Sequence, residues 1–259
     1  MFIKNLIYGI IIGIGFIIPG VSGGVIATIL GIYEIIINKI NNIFNDFKNN
    51  IIYLLPILIG VILSIFLFSK IILYLINNKL IFISYVFIGL ILGCIPFLIK
   101  EIKKKTNKSI SFIPFLISLI FGIILFIVQK NNIPTSNNPS LFQIIIGGIL
   151  YSFGKIVPGI SSTSLLIFIG IYNYLLNIIA NPSISNLLLL IPFIISFLIS
   201  SVIILKLIEY LLNNYFRYTY SSIIGFVISS ILFIYPNTIS IYYLFVCILS
   251  FIISNSLSN

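Results

Sequence analysis

The chain has 259 residues, of which 60% are hydrophobic and 7% charged, with a mean hydropathy of +1.28. Soluble domains carry about 25% charged residues to cover their surface, so a soluble globule is excluded and the chain reads as an all-α integral membrane protein. Fourteen basic and four acidic residues leave a net charge of +10, read here as a topology signal and not as a nucleic-acid footprint. Histidine is absent, which excludes a His general base and a His-ligated metal.

The first apolar stretch, 5–37, is interrupted near its centre by Pro19-Gly20, followed by Val21-Ser22-Gly23-Gly24. Proline lacks an N–H and glycine tolerates positive φ, so the helix stops there and the stretch is predicted to be a re-entrant hairpin. Uninterrupted runs at 52–76, 80–99 and 111–129 have the ~20-residue length of membrane-spanning helices. Between the last two, Lys100, Lys103, Lys104, Lys105 and Lys108 mark a cytoplasmic loop, because short loops rich in Lys and Arg stay inside. Pro134 and Pro139 among Asn and Ser then close a first repeat, 1–135. The second repeat, 136–259, begins with the stretch 141–180, broken by Pro158-Gly159-Ile160-Ser161-Ser162-Thr163. Helices are predicted at 187–208, 219–235 and 239–255. Cys94 and Cys247 lie inside apolar runs with no metal spacing and read as small buried hydrophobes.

The halves are related. A shift of 139 residues pairs Gly9 with Gly148, Gly15 with Gly154, Pro19 with Pro158, Gly20 with Gly159, Ser22 with Ser161, Gly31 with Gly170 and Tyr33 with Tyr172. A shift of 136 then pairs Pro56 with Pro192, Lys70 with Lys206, Tyr74 with Tyr210 and Gly89 with Gly225. If each broken element leaves on the side where it enters, each half crosses the bilayer three times. The second half must then insert upside down, giving two inverted-topology repeats, a transporter architecture. Walking out from the lysine loop places Lys4, Lys39, Lys48, Lys206 and Arg217 inside with both termini. Lys70, Lys79 and Lys130 fall outside and Lys155 within the membrane. A single broken crossing would instead place Lys4 outside and make the halves parallel.

Non-helical backbone cannot face lipid, so the breaks mark a cavity. Ser22 and Ser161 stand at cap positions for the helices that follow, whose first N–H groups lack intrahelical partners. Two such tips from opposite faces can converge on one anion, phosphate above all. The predicted phosphate-binding residues are Ser22, Gly23, Gly24, Lys155, Ser161, Ser162 and Thr163, with Pro19, Gly20, Pro158 and Gly159 forming the breaks. Lys155 lies ~4.5 Å of helix rise before Pro158, where a phosphate would supply its partner; the competing reading is that it snorkels to an interface. Glu34, ~18 Å along a continuous helix from Ser22, is the one acid considered for proton coupling.

The paired strings resemble a membrane family, first known as a domain of unknown function, that is associated with polyprenyl-phosphate translocation. Its Pro-Gly-Val-Ser-Gly-Gly-Thr signature is matched through Gly24, with Val25 in place of threonine. The later Pro-Gly-Ile-Ser-Gly-Ser reads Ser161-Ser162-Thr163 here, and both Gly-x-Tyr strings, Gly31-Ile32-Tyr33 and Gly170-Ile171-Tyr172, are present. The resemblance implies a flippase in the bacterial cytoplasmic membrane that returns undecaprenyl phosphate for envelope glycan synthesis, without cofactor. A transporter of a small anion with the same site physics is the alternative. An integral phosphatase is the weaker one, since neither a nucleophile-base pair nor a metal cluster is present.

Overall fold

Where the apolar runs carry no Pro-Gly pair, the chain is helical. The structure, a computed structural model, describes residues 2–17, 22–131, 139–180, 188, 190–236 and 241–257. In the first half these residues form α1 (Phe2–Ile17), α2 (Gly23–Ile29), α3 (Tyr33–Asn41), α4 (Phe47–Thr106) and α5 (Phe112–Lys130). In the second they form α6 (Leu141–Ile156), α7 (Ser162–Phe168), α8 (Tyr172–Ala180), α9 (Ile191–Asn214), α10 (Phe216–Ile234) and α11 (Ile241–Leu257). Five segments are long and apolar enough to cross a bilayer: Phe47–Phe68, Ile81–Thr106, Phe112–Lys130, Ile191–Asn214 and Phe216–Ile234. Large side chains on them stand exposed, such as Phe66 at 78% and Ile113 at 71%, a surface suited to lipid and not to water. The protein is a multi-pass α-helical membrane protein.

Two helices, 52–76 and 80–99, are expected where the structure has one helical stretch, Phe47–Thr106. Neither proline nor glycine occurs from Ser69 to Leu80, so nothing in the local sequence stops helical hydrogen bonding there. The stretch nevertheless doubles back. Straight, it would separate Asn50 from Lys105 by about 80 Å. Yet the Lys39 Nζ donates to the Asn50 Oδ1 at 3.1 Å while the Lys105 Nζ meets the Glu34 carboxylate at 2.7 Å, and Glu34 and Lys39 share the short helix α3. Two antiparallel apolar segments result, one for each crossing.

The repeat seen in the sequence recurs in the packing. In the first half the Asn5 amide donates to the Tyr53 carbonyl at 3.1 Å, Gly9 lies against Ile57, and Gly13 against Val61 and Ser64. Those contacts advance together, so α1 and the first segment of α4 run the same way. In the second half Gly148 lies against Phe193 and Ser196, and the Ser152 and Ser200 hydroxyls bond at 2.7 Å, which sets α6 and α9 parallel at the equivalent positions. Small residues carry both seams because, without a hydrophobic drive between helices in lipid, close backbone approach supplies the attraction.

The halves also exchange their last helices. Gly89 and Gly93 of α4 receive Ser250 and Ser254 of α11, while Gly225 of α10 receives Ser118 of α5 and Gly122 of α5 receives Ser229 of α10. Ser118, Ser229 and Ser250 bond back to carbonyls of their own helices, those of Phe115, Phe226 and Val246, while Ser254 donates across the seam to the Leu90 carbonyl of α4 at 2.7 Å, so none of these hydroxyls is stranded. Gly122→Leu is expected to cost about 1–3 kcal/mol by forcing α5 away from α10. A lowered thermal midpoint in detergent checks this, and an unchanged midpoint contradicts it.

Candidate functional site

Each break is followed by the same short device. Ser22 is extended (φ −102°, ψ 143°) and its hydroxyl accepts from the Val25 N–H at 3.2 Å; Ser161 (φ −84°, ψ 112°) accepts from the Ser164 N–H at 3.2 Å. Both serines cap their helices as expected. Nine residues after its cap serine each helix has ended in a left-handed glycine, Gly31 at φ 68° and Gly170 at φ 77°. Two matching bonds close each turn: Gly31 N–H to Thr28 O and Ile32 N–H to Ala27 O, Gly170 N–H to Ile167 O and Ile171 N–H to Leu166 O.

This second turn adds a bend to the first element: α1 has 16 residues and α2 seven, after which α3 departs at 115°. Glu34 is therefore not ~18 Å down a straight helix from Ser22; the bend intervenes at Gly31. Its carboxylate pairs with Lys105 and accepts from the Tyr220 hydroxyl, tying α3 to the ends of α4 and α10. Lys105 and Glu34 keep 43% and 29% side-chain exposure, which limits the pair to about 1 kcal/mol or less. Glu34→Gln should accordingly lower the thermal midpoint by only a few degrees, and unfolding of the variant would contradict that assignment.

The start of α2 meets the second break. A Cβ placed on Gly24 would lie 3.3 Å from the Pro158 Cα and 3.5 Å from the Ile156 carbonyl oxygen, so the start of α2 abuts the end of α6. Gly159, at φ 83°, presses on the Phe226 and Val227 backbone of α10. Pro19 and Gly20 lie outside the described residues. Beside the meeting point is a cavity of about 500 Å³ lined by Gly23, Gly24, Lys155 and aliphatic side chains of α1, α3 and α4. The Lys155 ammonium stands 5.1 Å from the Tyr151 ring centre and 5.6 Å from that of Phe16. Such faces attract a cation but do not neutralise it.

Each of the four Asp and Glu side chains is engaged elsewhere. Glu34 holds Lys105, Asp46 accepts from Asn49, Glu101 faces Lys104, and Glu209 accepts from Asn38 and Asn42. Of the expected site residues, the structure brings Gly23, Gly24 and Lys155 to one cavity. Ser22, Ser161, Ser162 and Thr163 are not in its lining; Ser162 is buried, its backbone against Gly154.

Two contributors escaped the sequence reading. The Tyr33 hydroxyl donates to the Ile156 carbonyl at 3.1 Å, joining the start of α3 to the second break. Its signal was the recurrence of Tyr33 and Tyr172 in the repeat, noted as an identity without a role. Gln129 of α5 accepts from the Ser164 hydroxyl of α7, and nothing in the sequence marks that pairing.

The fold and these breaks define a class: a multi-span helical membrane protein with two related halves, each opening on a capped helix interruption. The chain belongs to the family described as undecaprenyl phosphate translocase-like (VCA0040-like), whose match covers residues 12–245 and so both breaks. No curated protein and no solved structure matches the chain.

Proposed function

We propose that the protein carries undecaprenyl phosphate across the bacterial cytoplasmic membrane, returning the lipid for envelope glycan synthesis, and performs no chemistry on it. The observation that carries this reading is Lys155: a cation beside a break, with all four Asp and Glu side chains occupied elsewhere, at the wall of an apolar cavity. An ammonium at bilayer depth costs ~2.5–3.5 kcal/mol unless paired or hydrated, and a phosphate headgroup supplies the pair. The N–H groups of Gly23 and Gly24, first in their helix and so without intrahelical acceptors, add donors at the same wall. The seven-residue helices contribute little dipole, and the lysine supplies most of the attraction. The aliphatic remainder of the cavity suits a prenyl chain better than a hydrated ion.

The halves are inverted in this reading. The first segment of α4 leaves the face carrying Lys39 and Lys48, whereas the end of α9 arrives there, the Leu205 carbonyl accepting from Asn41 at 2.8 Å beside Lys206. Arg217 at the start of α10 donates to the Ser109 carbonyl at 2.7 Å, bringing it to the Lys100–Lys108 loop. Gathering the basic ends on one face supports a cytoplasmic assignment for that face and for both termini. Glu34, held by Lys105 and Tyr220, serves as a tie and not as the coupling acid.

Liposomes containing the protein and a fluorescent polyprenyl phosphate test the reading, with outer-leaflet quenching as readout. Intact protein is expected to accelerate exchange between leaflets, and Gly23→Leu, which fills the cavity wall, to remove most of the acceleration. No acceleration by intact protein, with uptake of inorganic phosphate instead, would favour a small-anion transporter.

A further inference from the structure

Two cavities flank the second break. The first, about 500 Å³, holds Lys155; the second, about 460 Å³, lies between α9 and α10 against Pro158, Ile208, Tyr218 and Phe226. Tyr33 lines both. Its side chain is only 5% exposed, and its hydroxyl is fixed on the Ile156 carbonyl. That carbonyl ends α6 and has no intrahelical donor, so the bond both fills a gap in the break and holds the ring in place. On either side of Tyr33 the backbone is tethered as well, by the Gly31 turn and by Glu34 with Lys105 and Tyr220.

We infer that Tyr33 is a specificity-determining partition which restricts the phosphate site to ligands with a single hydrocarbon chain. The inference rests on the phosphate reading above. A bilayer is crowded with two-chain phospholipids whose headgroups also carry an anionic phosphate, which an ammonium attracts as well. Chain number distinguishes them. A phosphate held at Lys155 has one apolar cavity beside it, because Lys155 lines only the first. The second chain of a glycerophospholipid would have to enter the cavity beyond Tyr33, through a ring that packing and hydrogen bonding hold still. Discrimination then comes from exclusion of the competitor, a design that needs no added affinity for the proper lipid. Removing the ring would join the two cavities past the Ile156 carbonyl.

Competition binding to the purified full-length protein tests this, with labelled polyprenyl phosphate displaced either by unlabelled polyprenyl phosphate or by phosphatidic acid, a phosphate monoester on two chains. Intact protein should prefer the single-chain lipid by about tenfold or more. Tyr33→Ala should bring the two within about threefold, the affinity for phosphatidic acid rising relative to that for polyprenyl phosphate. Tyr33→Phe keeps the ring, loses the hydrogen bond and should keep the preference, which separates the partition from general damage to the fold. The inference is overturned if Tyr33→Ala retains the preference, if Tyr33→Phe loses it as fully as Tyr33→Ala, or if the intact protein binds both lipids alike. Intact protein that binds no phosphate lipid would instead sink the functional reading, and this inference with it.

Discussion

Lys155→Ala is expected to slow leaflet exchange of polyprenyl phosphate by roughly tenfold to a hundredfold, the size of a lost charge-assisted hydrogen bond of about 1.5–3 kcal/mol. The fold should survive. Among the described residues Lys155 forms no ion pair, so its removal leaves no described carboxylate stranded, and deleting an unpaired ammonium from an apolar wall is not destabilising. The variant is therefore expected to keep or raise its thermal midpoint while losing transport. Lys155→Arg keeps the charge and should retain much of the activity. Loss of folding together with transport would contradict this account, because it would make Lys155 a structural residue.

The largest effect on stability is expected at Gly159. Its φ of 83° already disfavours any side chain, and a Cβ there would collide with the Phe226 backbone, which cannot swing aside. Left-handed strain adds about 1–2 kcal/mol and overpacking about 1–3, so Gly159→Val should lose about 2–5 kcal/mol and most of the folded protein. Gly31 is the control. It has a similar φ of 68°, yet the nearest atom to its Cβ position is 3.5 Å away on the Phe97 ring. Gly31→Ala should therefore cost only the strain, about 1–2 kcal/mol. Equal damage in the two variants, read as thermal midpoints in the same detergent, would contradict the close approach of the second break to α10.

Five of the six predicted spans, all but the last helix, were legible because lipid demands an unbroken apolar run, and the breaks because proline and glycine cannot continue a helix at low cost. Gly31 and Gly170 were visible as repeat identities, but a glycine in an apolar run also reads as a tolerated helical residue. Only the closing bonds from Gly31 and Ile32 to α2 show that the helix ends there, and the misplaced Glu34 followed from missing it. The exchange of α5 and α11 was beyond reach. Its determinants are glycine and serine pairs such as Gly93 with Ser254 and Gly122 with Ser229, which carry no local pattern naming their partners. Gly23, Gly24 and Lys155 stand next to the breaks in the sequence and line one cavity in the structure. Ser162 was misplaced toward the ligand because a string of hydroxyls gives no indication that its backbone packs on Gly154.

The central claim is that Lys155 is completed by a lipid phosphate. Binding of polyprenyl phosphate and of the uncharged polyprenol of equal length, to intact protein and to Lys155→Ala, measures it most directly. The account predicts that intact protein retains the phosphate at least about tenfold more tightly than the alcohol, and that the variant loses most of that difference. Equal retention of phosphate and alcohol by the intact protein, or an undiminished preference in Lys155→Ala, would contradict it.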